Sequence, residues 1–180
     1  LRRLKINIKR PDINVCFADF KTDNENFYYA LGAVKAVGYE AISNIVKERT
    51  KNGKFKSIID FINRINPKDI NKLQLEGLVK AGAFDEFERD RNKILISIPK
   101  IIQKIKNIND DKENHQTSLF DNQNLSYEEF EYLTSTPWSQ KELLSEEFKS
   151  LGFYLTNHPL SEFNEIFDQL NISSYNQFYN

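Results

Sequence analysis

Apolar residues near the start of the chain fall into two short runs, residues 15–20 (VCFADF) and 27–31 (FYYAL). The turn-forming stretch Asp23-Asn24-Glu25-Asn26 separates them, and this pattern predicts a β-hairpin. Beyond it the spacing becomes helical. Ala41, Ile42, Ile45 and Val46 recur at i, i+1, i+4 and i+5, and Gly53 follows as a stop. Ser57 with Asp60 reads as an N-cap pair ahead of Ile58, Ile59, Phe61, Ile62 and Ile65. Asn66-Pro67 reads as a cap and first helical residue. The helix so begun is expected to run to about Lys80, burying Leu73, Leu75, Leu78 and Val79 and turning at Gly82. Ile94, Leu95, Ile98, Ile101, Ile102 and Ile105 then line one stripe of a long helix, with Pro99 inside it expected to introduce a kink.

Residues 107–127 break the period. They are polar and acidic and read as an exposed loop or linker, interrupted by the apolar pair Leu119-Phe120. Order returns at Ser139-Gln140-Lys141-Glu142, which has the form of a capping box. Leu143, Leu144, Phe148 and Leu151 follow at helical spacing, and Gly152 supplies the stop. The expected fold is therefore mainly α, with a small N-terminal β-hairpin, a body of short helices, an exposed loop and a linker helix.

Charge sharpens this division. The net formal charge of the 180 residues is −1, yet residues 1–106 carry 22 Lys and Arg against 13 Asp and Glu. Residues 107–180 carry 3 against 13. The split points to two segments with different partners. The basic segment suits phosphate contacts, because Lys and Arg release counterions when they neutralise phosphates. Attraction between two oppositely charged, solvated halves would give the same split.

The chain opens on Leu1 and reads as a segment of a longer protein. Its basic start lacks the apolar stretch of a secretion signal, and no apolar run has the roughly 18 residues of a membrane span. The single cysteine, Cys16, excludes an internal disulfide framework and suits a reducing cytoplasm. Cys16, His115 and His158 are too scattered for a zinc site. Cys16 is expected to fill a core position, His115 to be solvated and His158-Pro159 to form a structural turn. The acidic residues at 142–147 have helical surface spacing, so no catalytic carboxylates are expected.

Within the basic segment, Leu31 to Ile42 (LGAVKAVGYEAI) has the layout of a helix-hairpin-helix. Small residues at 36 and 38 permit a tight turn, while Val34 and Val37 tie it to the core. The helix after Gly38 would offer unpaired N–H groups and the positive end of its dipole to an anion. Lys35, Lys47, Arg49, Lys51, Lys54 and Lys56 surround the turn with cations. A backbone phosphate suits such a site, gripped without reading bases. The same residues also fit a plain helical turn in which Gly38 merely caps. A second copy, Leu75 to Asp85 (LEGLVKAGAFD), turns at Gly82 and is flanked by Lys72 and Lys80. The candidate DNA-binding residues are Lys35, Val37, Gly38, Tyr39, Lys72, Lys80 and Gly82.

The order of PDIN (11–14), ALGAVKAVG (30–38), NGKFKSIIDF (52–61), LEGLVKAGAFD (75–85) and SEEFKSLGFYLTNHPLSEF (145–163) resembles the bacterial replicative polymerases of the DNA polymerase III alpha family, in the region after the fingers. The resemblance covers nearly the whole chain, with Ala36 where the family usually carries glycine and Asn157 where glycine is expected before His-Pro. It implies a non-catalytic segment of a DNA-directed DNA polymerase, with the catalytic carboxylates and their Mg2+ elsewhere in the parent. It also implies residues 1–30 as the end of the fingers region, 31–108 as a tandem helix-hairpin-helix module, 109–128 as a clamp-binding loop, and 129–180 as a linker helix and the start of an OB domain. Gln116-Thr117-Ser118-Leu119-Phe120 is similar to the peptide Gln-x-Ser/Asp-Leu-Phe by which bacterial proteins bind the β sliding clamp. Gln116 can fix the register by hydrogen bonds, with Ser118 at the Ser/Asp position. Leu119 and Phe120 would each gain about 1.5–3 kcal/mol on burial in an apolar cleft. Leu119-Phe120 could equally fold back on a neighbouring helix. The implied partners are duplex DNA, the sliding clamp and the other holoenzyme subunits. Two competing readings remain open at this level, a helix-hairpin-helix module of a repair protein and a structural connector between domains.

Overall fold

The computed structural model describes residues 6–113 and 130–172. The fold opens with a three-stranded sheet of β1 (Asn7–Lys9), β2 (Lys21–Thr22) and β3 (Asn26–Tyr28), in the order β1-β3-β2. β2 and β3 pair antiparallel, with Lys21 opposite Tyr28 and Thr22 opposite Phe27, and β1 joins β3 in parallel. The expected hairpin is present, but its first strand is Lys21–Thr22 and not residues 15–20. Of those residues Cys16 and Ala18 are buried in the core, whereas Phe20 is 49% exposed and stacks on Phe27 of β3. The Phe17 and Ala18 carbonyls accept from the N–H groups of Leu31 and Gly32 at 2.8 and 3.1 Å. Asp23 closes the hairpin, its Oδ1 accepting from the N–H groups of Glu25 at 3.0 Å and Asn26 at 2.7 Å. Its Oδ2 accepts from the Tyr28 hydroxyl at 2.8 Å. These donors, the Glu25 N–H foremost, hold the Asp23 carboxyl well below the usual carboxylate range.

Helices build the rest. α1 (Tyr39–Asn52) buries Ile42 and Ile45 and ends at Gly53. α2 (Ile58–Arg64) starts where the Ser57 side chain accepts from the Asp60 N–H, and it buries Ile58, Ile59, Phe61 and Ile62. Asn66-Pro67 does not open the next helix. The Asn66 side chain accepts from the Lys68 N–H and its carbonyl from the Asp69 N–H, both at 2.9 Å, which closes a single turn. α3 (Lys72–Ala81) begins instead at Asn71, which forms a reciprocal capping box with Gln74. This later start puts Leu73 in the first turn, 63% exposed, and not in the core as its apolar character suggested. Leu75, Leu78 and Val79 are buried, and Gly82 takes the left-handed conformation at the C-terminus of α3.

α4 (Arg91–Glu113) stays helical on both sides of Pro99 and buries Ile94, Ile98, Ile101 and Ile105. It extends through residues 107–113, where the polar, acidic composition predicts a loop. Ile108 packs against the core one turn beyond Ile105 and carries the apolar stripe that much further. Residues 130–139 return along α4 as an extended strap. The Leu133 N–H donates to Ser97 Oγ at 2.9 Å, Ser135 Oγ to Asp90 at 3.0 Å, and Asn92 Nδ2 to the Thr136 carbonyl at 2.8 Å.

The Ser139–Glu142 capping box opens α5 (Gln140–Leu151), which packs on α3 and ends at Gly152 in the left-handed conformation. Leu144 and Leu151 are buried as expected, whereas Phe148 is 43% exposed. Glu147 and Ser150 take the inward positions. A 3-10 turn (Pro159–Phe163) and α6 (Asn164–Gln169) follow, the former capped by His158, whose Nδ1 accepts from the Leu160 N–H at 3.2 Å. His158 thus serves a structural turn, as its sequence context suggested. The central core joins all of α1 to α4, with Phe55, Phe61 and Phe84 stacked edge to face. Cys16 belongs to that core, and burial pushes its thiol up to about 11.

Candidate nucleic-acid interface

The chain enters the first hairpin through a 3-10 turn (Leu31–Ala33) and leaves it at Gly38, the N-cap of α1. Val34 and Val37 are buried beneath the turn. Ala36 at its apex has φ +65°, a left-handed conformation unusual for a residue with a Cβ. Two neighbours hold that shape. The Lys35 N–H donates to the Ser150 carbonyl of α5 at 2.9 Å, and the Lys35 carbonyl lies against Gly77 of α3.

Gly38 offers no side chain to cap α1, and the first backbone bond of the helix runs from the Ile42 N–H to the Gly38 carbonyl. The N–H groups of Tyr39, Glu40 and Ala41 therefore stand at the open positive end of the helix dipole. Lys35, Gly38, Tyr39 and Glu40 are exposed around them. The Glu40 carboxylate favours the helix dipole but repels a second anion brought to the same end.

The start of α3 stands beside the start of α1. A Cβ added to Gly38 would be 3.6 Å from Gln74 Nε2, and Gln74 belongs to the capping box of α3. Lys72 is exposed on this face, with Glu76 3.8 Å away. Tyr39 and Leu73, 61% and 63% exposed, flank the two helix starts. Lys35, Gly38 and Tyr39 thus surround the open end of α1, with the start of α3 next to it.

The other expected residues stand in different company. Val37 is a core residue whose N–H is taken by the Val34 carbonyl at 3.0 Å. Lys80 pairs with Glu146 of α5 at 3.1 Å. Gly82 is buried beneath Arg91, whose guanidinium an added Cβ would strike. Arg91 donates to both carboxylate oxygens of Asp85 at 2.8 and 2.6 Å and to the Lys80 carbonyl at 3.0 Å. The helix that follows this second turn starts among acids. Asp90 accepts from the Lys93 N–H at 3.2 Å, and Glu88 accepts from the Asp90 N–H and from Lys93 Nζ.

Lys47, Arg49 and Lys51 do not surround the first turn as their sequence proximity suggests, because they lie roughly two to four turns along α1 from Gly38, and Arg49 is structural. It is buried, donates to the Ile13 carbonyl at 2.6 Å and lies over the Phe17 ring. Sequence reasoning missed that α5 supplies Glu146 and Glu147 to the second turn. The acidic run behind the Ser139 cap was the available signal. Gln116, Ser118, Leu119 and Phe120, like His115, lie outside the described residues. Glu113 and Phe130, the described residues on either side of them, are the end of α4 and the start of the strap. Lys100 anchors the strap there by pairing with Glu131 at 3.0 Å.

Among the described residues no helix is long and apolar enough to cross a membrane, and no three His, Cys, Asp or Glu side chains are grouped to hold a metal ion.

Comparison with known proteins agrees with this geometry. A helix-hairpin-helix motif family matches residues 5–94, half of the chain. A DNA polymerase III subunit alpha of Caulobacter vibrioides is 37% identical over 161 residues, covering 89% of this chain and 14% of the relative. The same subunit of Borreliella burgdorferi is 34% identical over 170 residues, 93% of this chain and 15% of the relative. That of Rickettsia conorii is 41% identical over 145 residues, 80% and 12%. The chain spans about one seventh of the length of the curated relatives it matches. The chain belongs to the helix-hairpin-helix motif family and is similar, over nearly all of its length, to a segment of DNA polymerase III subunit alpha.

Proposed function

We propose that this chain is the part of a bacterial replicative DNA polymerase that holds duplex DNA by its phosphates and docks on the sliding clamp. The open N-terminus of α1, set beside the start of α3 with Lys35 and Lys72 nearby, is the observation that carries the first half of this reading. Amides at a helix start suit a phosphate oxygen whatever the base sequence. Lys35, Gly38, Tyr39 and Lys72 make the contact, and Val37 holds the turn from beneath. Lys80 and Gly82 belong to the supporting turn under α5.

The clamp contact is the pentapeptide Gln116 to Phe120. Its support is the sequence itself and its location between the end of α4 and the strap. Docking by five residues is weak, since ordering them costs backbone entropy. Tethering to a ring on the same DNA raises the effective concentration enough to offset that. On this reading residues 31–108 are the DNA-gripping module, 109–128 the clamp loop, and 129–180 the linker helix and the start of an OB domain. The parent is a magnesium-dependent, cytoplasmic DNA-directed DNA polymerase that works with other holoenzyme subunits.

Two measurements test the proposal. Changing Leu119 and Phe120 together to Ala should abolish binding to the purified clamp, and unchanged affinity removes the tether. Binding to short duplexes should be indifferent to sequence and fall steeply with salt. Salt-independent binding removes the phosphate grip.

A further inference from the structure

We infer that the cleft between α1 and the α2–α3 turn is a second backbone-phosphate contact, built on Lys47 and Lys51. The inference rests on the proposed phosphate grip and extends it to a place that the helix-hairpin-helix turn does not reach. Lys47 and Lys51 are four residues apart and project from the solvent face of α1, opposite the buried Ile42 and Ile45. Together with Asn44, Arg64, Asn66 and Asp69 they line a cleft of about 260 Å³.

Two acids line this cleft, Glu48 and Asp69; Glu48 is paired with Arg64, while Asp69 carries a hydrogen bond and, among the described residues, no ion pair. Arg64 pairs with Glu48 and with Asp60, each at 3.0 Å, and also donates to the Gly53 carbonyl at 2.7 Å. Asn44 Nδ2 donates to Asp69 at 2.9 Å. Lys47 and Lys51 are left exposed, and among the described residues neither makes an ion pair; Lys47 Nζ has only Asn44 Oδ1 at 3.5 Å. Lys54 and Lys56, exposed on the loop after Gly53, add to the same excess of positive charge.

The chemistry of the cleft selects its partner. Ile45 and Ile65, its aliphatic members, are buried, so it offers little to a lipid chain or an apolar peptide. Lysine ammonium groups on flexible stems are point charges that suit phosphate oxygens. Along α1, Lys47 and Lys51 lie roughly 14–20 Å from Gly38 at the rise of an α-helix. At about 3.4 Å of axis per base pair, that distance spans roughly four to six steps of a duplex. The cleft would therefore meet a phosphate distinct from the one at the hairpin.

The test is a salt titration of duplex binding, on a DNA of roughly 20 base pairs, with the full chain and its Lys47→Gln/Lys51→Gln and Lys35→Gln variants. Each lost phosphate contact should reduce the log–log slope by about 0.9, so the double variant should lose about 1.8. Between about 50 and about 200 mM salt its affinity should then fall roughly twelve-fold less than that of the parent. An unchanged slope in the double variant, with a reduced slope for Lys35→Gln, overturns this contact and leaves the hairpin grip standing. A parent chain whose binding ignores salt overturns both. Circular dichroism of the variants checks that α1 is retained.

Discussion

Gly77, in the middle of α3, lies so close to Lys35 that a Cβ on it would stand 2.6 Å from the Lys35 carbonyl oxygen. A glycine inside a helix costs about 1 kcal/mol relative to alanine. Here the missing side chain lets the hairpin backbone pack directly on α3. Gly77→Ala should therefore destabilise the fold despite its better helix propensity, by about 1–2 kcal/mol once the overpacking strain is set against the propensity gain. Urea denaturation measures the change. Duplex affinity should fall with it, because the turn carrying Lys35 and Gly38 is displaced.

Ala36 makes the opposite prediction. Its φ of +65° costs an L-residue about 1–2 kcal/mol. Its side chain is exposed, so little packing is lost on removing the methyl group. Ala36→Gly relieves the strain but frees the unfolded chain by about 0.5–1 kcal/mol. The net expectation is a gain of about 0.5–1 kcal/mol, read as a higher denaturation midpoint at unchanged slope. An equal or lower midpoint would mean that the turn relaxes in solution.

These two positions show what sequence reading reaches and where it stops. Local rules sufficed for Ser57, Ser139, Gly82 and Gly152, because a cap depends on residues within one turn of itself. They failed at residues 15–20, where Cys16 and Ala18 serve the core without a strand ladder. They failed again at Asn66-Pro67, where a good helix start was outcompeted by the reciprocal cap at Asn71. The hairpin turn was legible from its small residues and paired valines. The fate of Lys80 was not, because its partner Glu146 lies 66 positions away and only tertiary packing brings them together.

Arg91 should be among the most sensitive positions for stability. Its side chain is 4% exposed and joins Asp85, the Lys80 carbonyl and the fully buried Glu147, whose Oε2 is 4.0 Å away. Glu147 Oε1 accepts from the N–H groups of Leu155 and Thr156 at 2.7 and 2.9 Å. Arg91→Ala removes the cation and strands a carboxylate in the interior, at a cost of about 3–5 kcal/mol. Thermal unfolding followed by circular dichroism would register this as a large drop in midpoint. A change below about 1 kcal/mol, the range of exposed ion pairs, would show that water replaces the guanidinium.

Glu40 provides a direct reading of the hairpin's electrostatics. It sits in the first turn of α1 among the free amides proposed to hold a phosphate, and its carboxylate opposes that anion. Glu40→Gln keeps the size and polarity of the side chain and removes the charge. If phosphate binds at the α1 start, the variant should bind duplex DNA several-fold more tightly at low ionic strength. The advantage should shrink as salt screens the repulsion, over a Debye length of about 10 Å at 0.1 M. Stability should move the other way by about 0.3–1 kcal/mol, since an acid near a helix N-terminus is favourable. Tighter binding with a slightly weaker fold separates a local repulsion from a general improvement in packing. Equal DNA affinity for variant and parent at low salt would put the phosphate somewhere other than the start of α1.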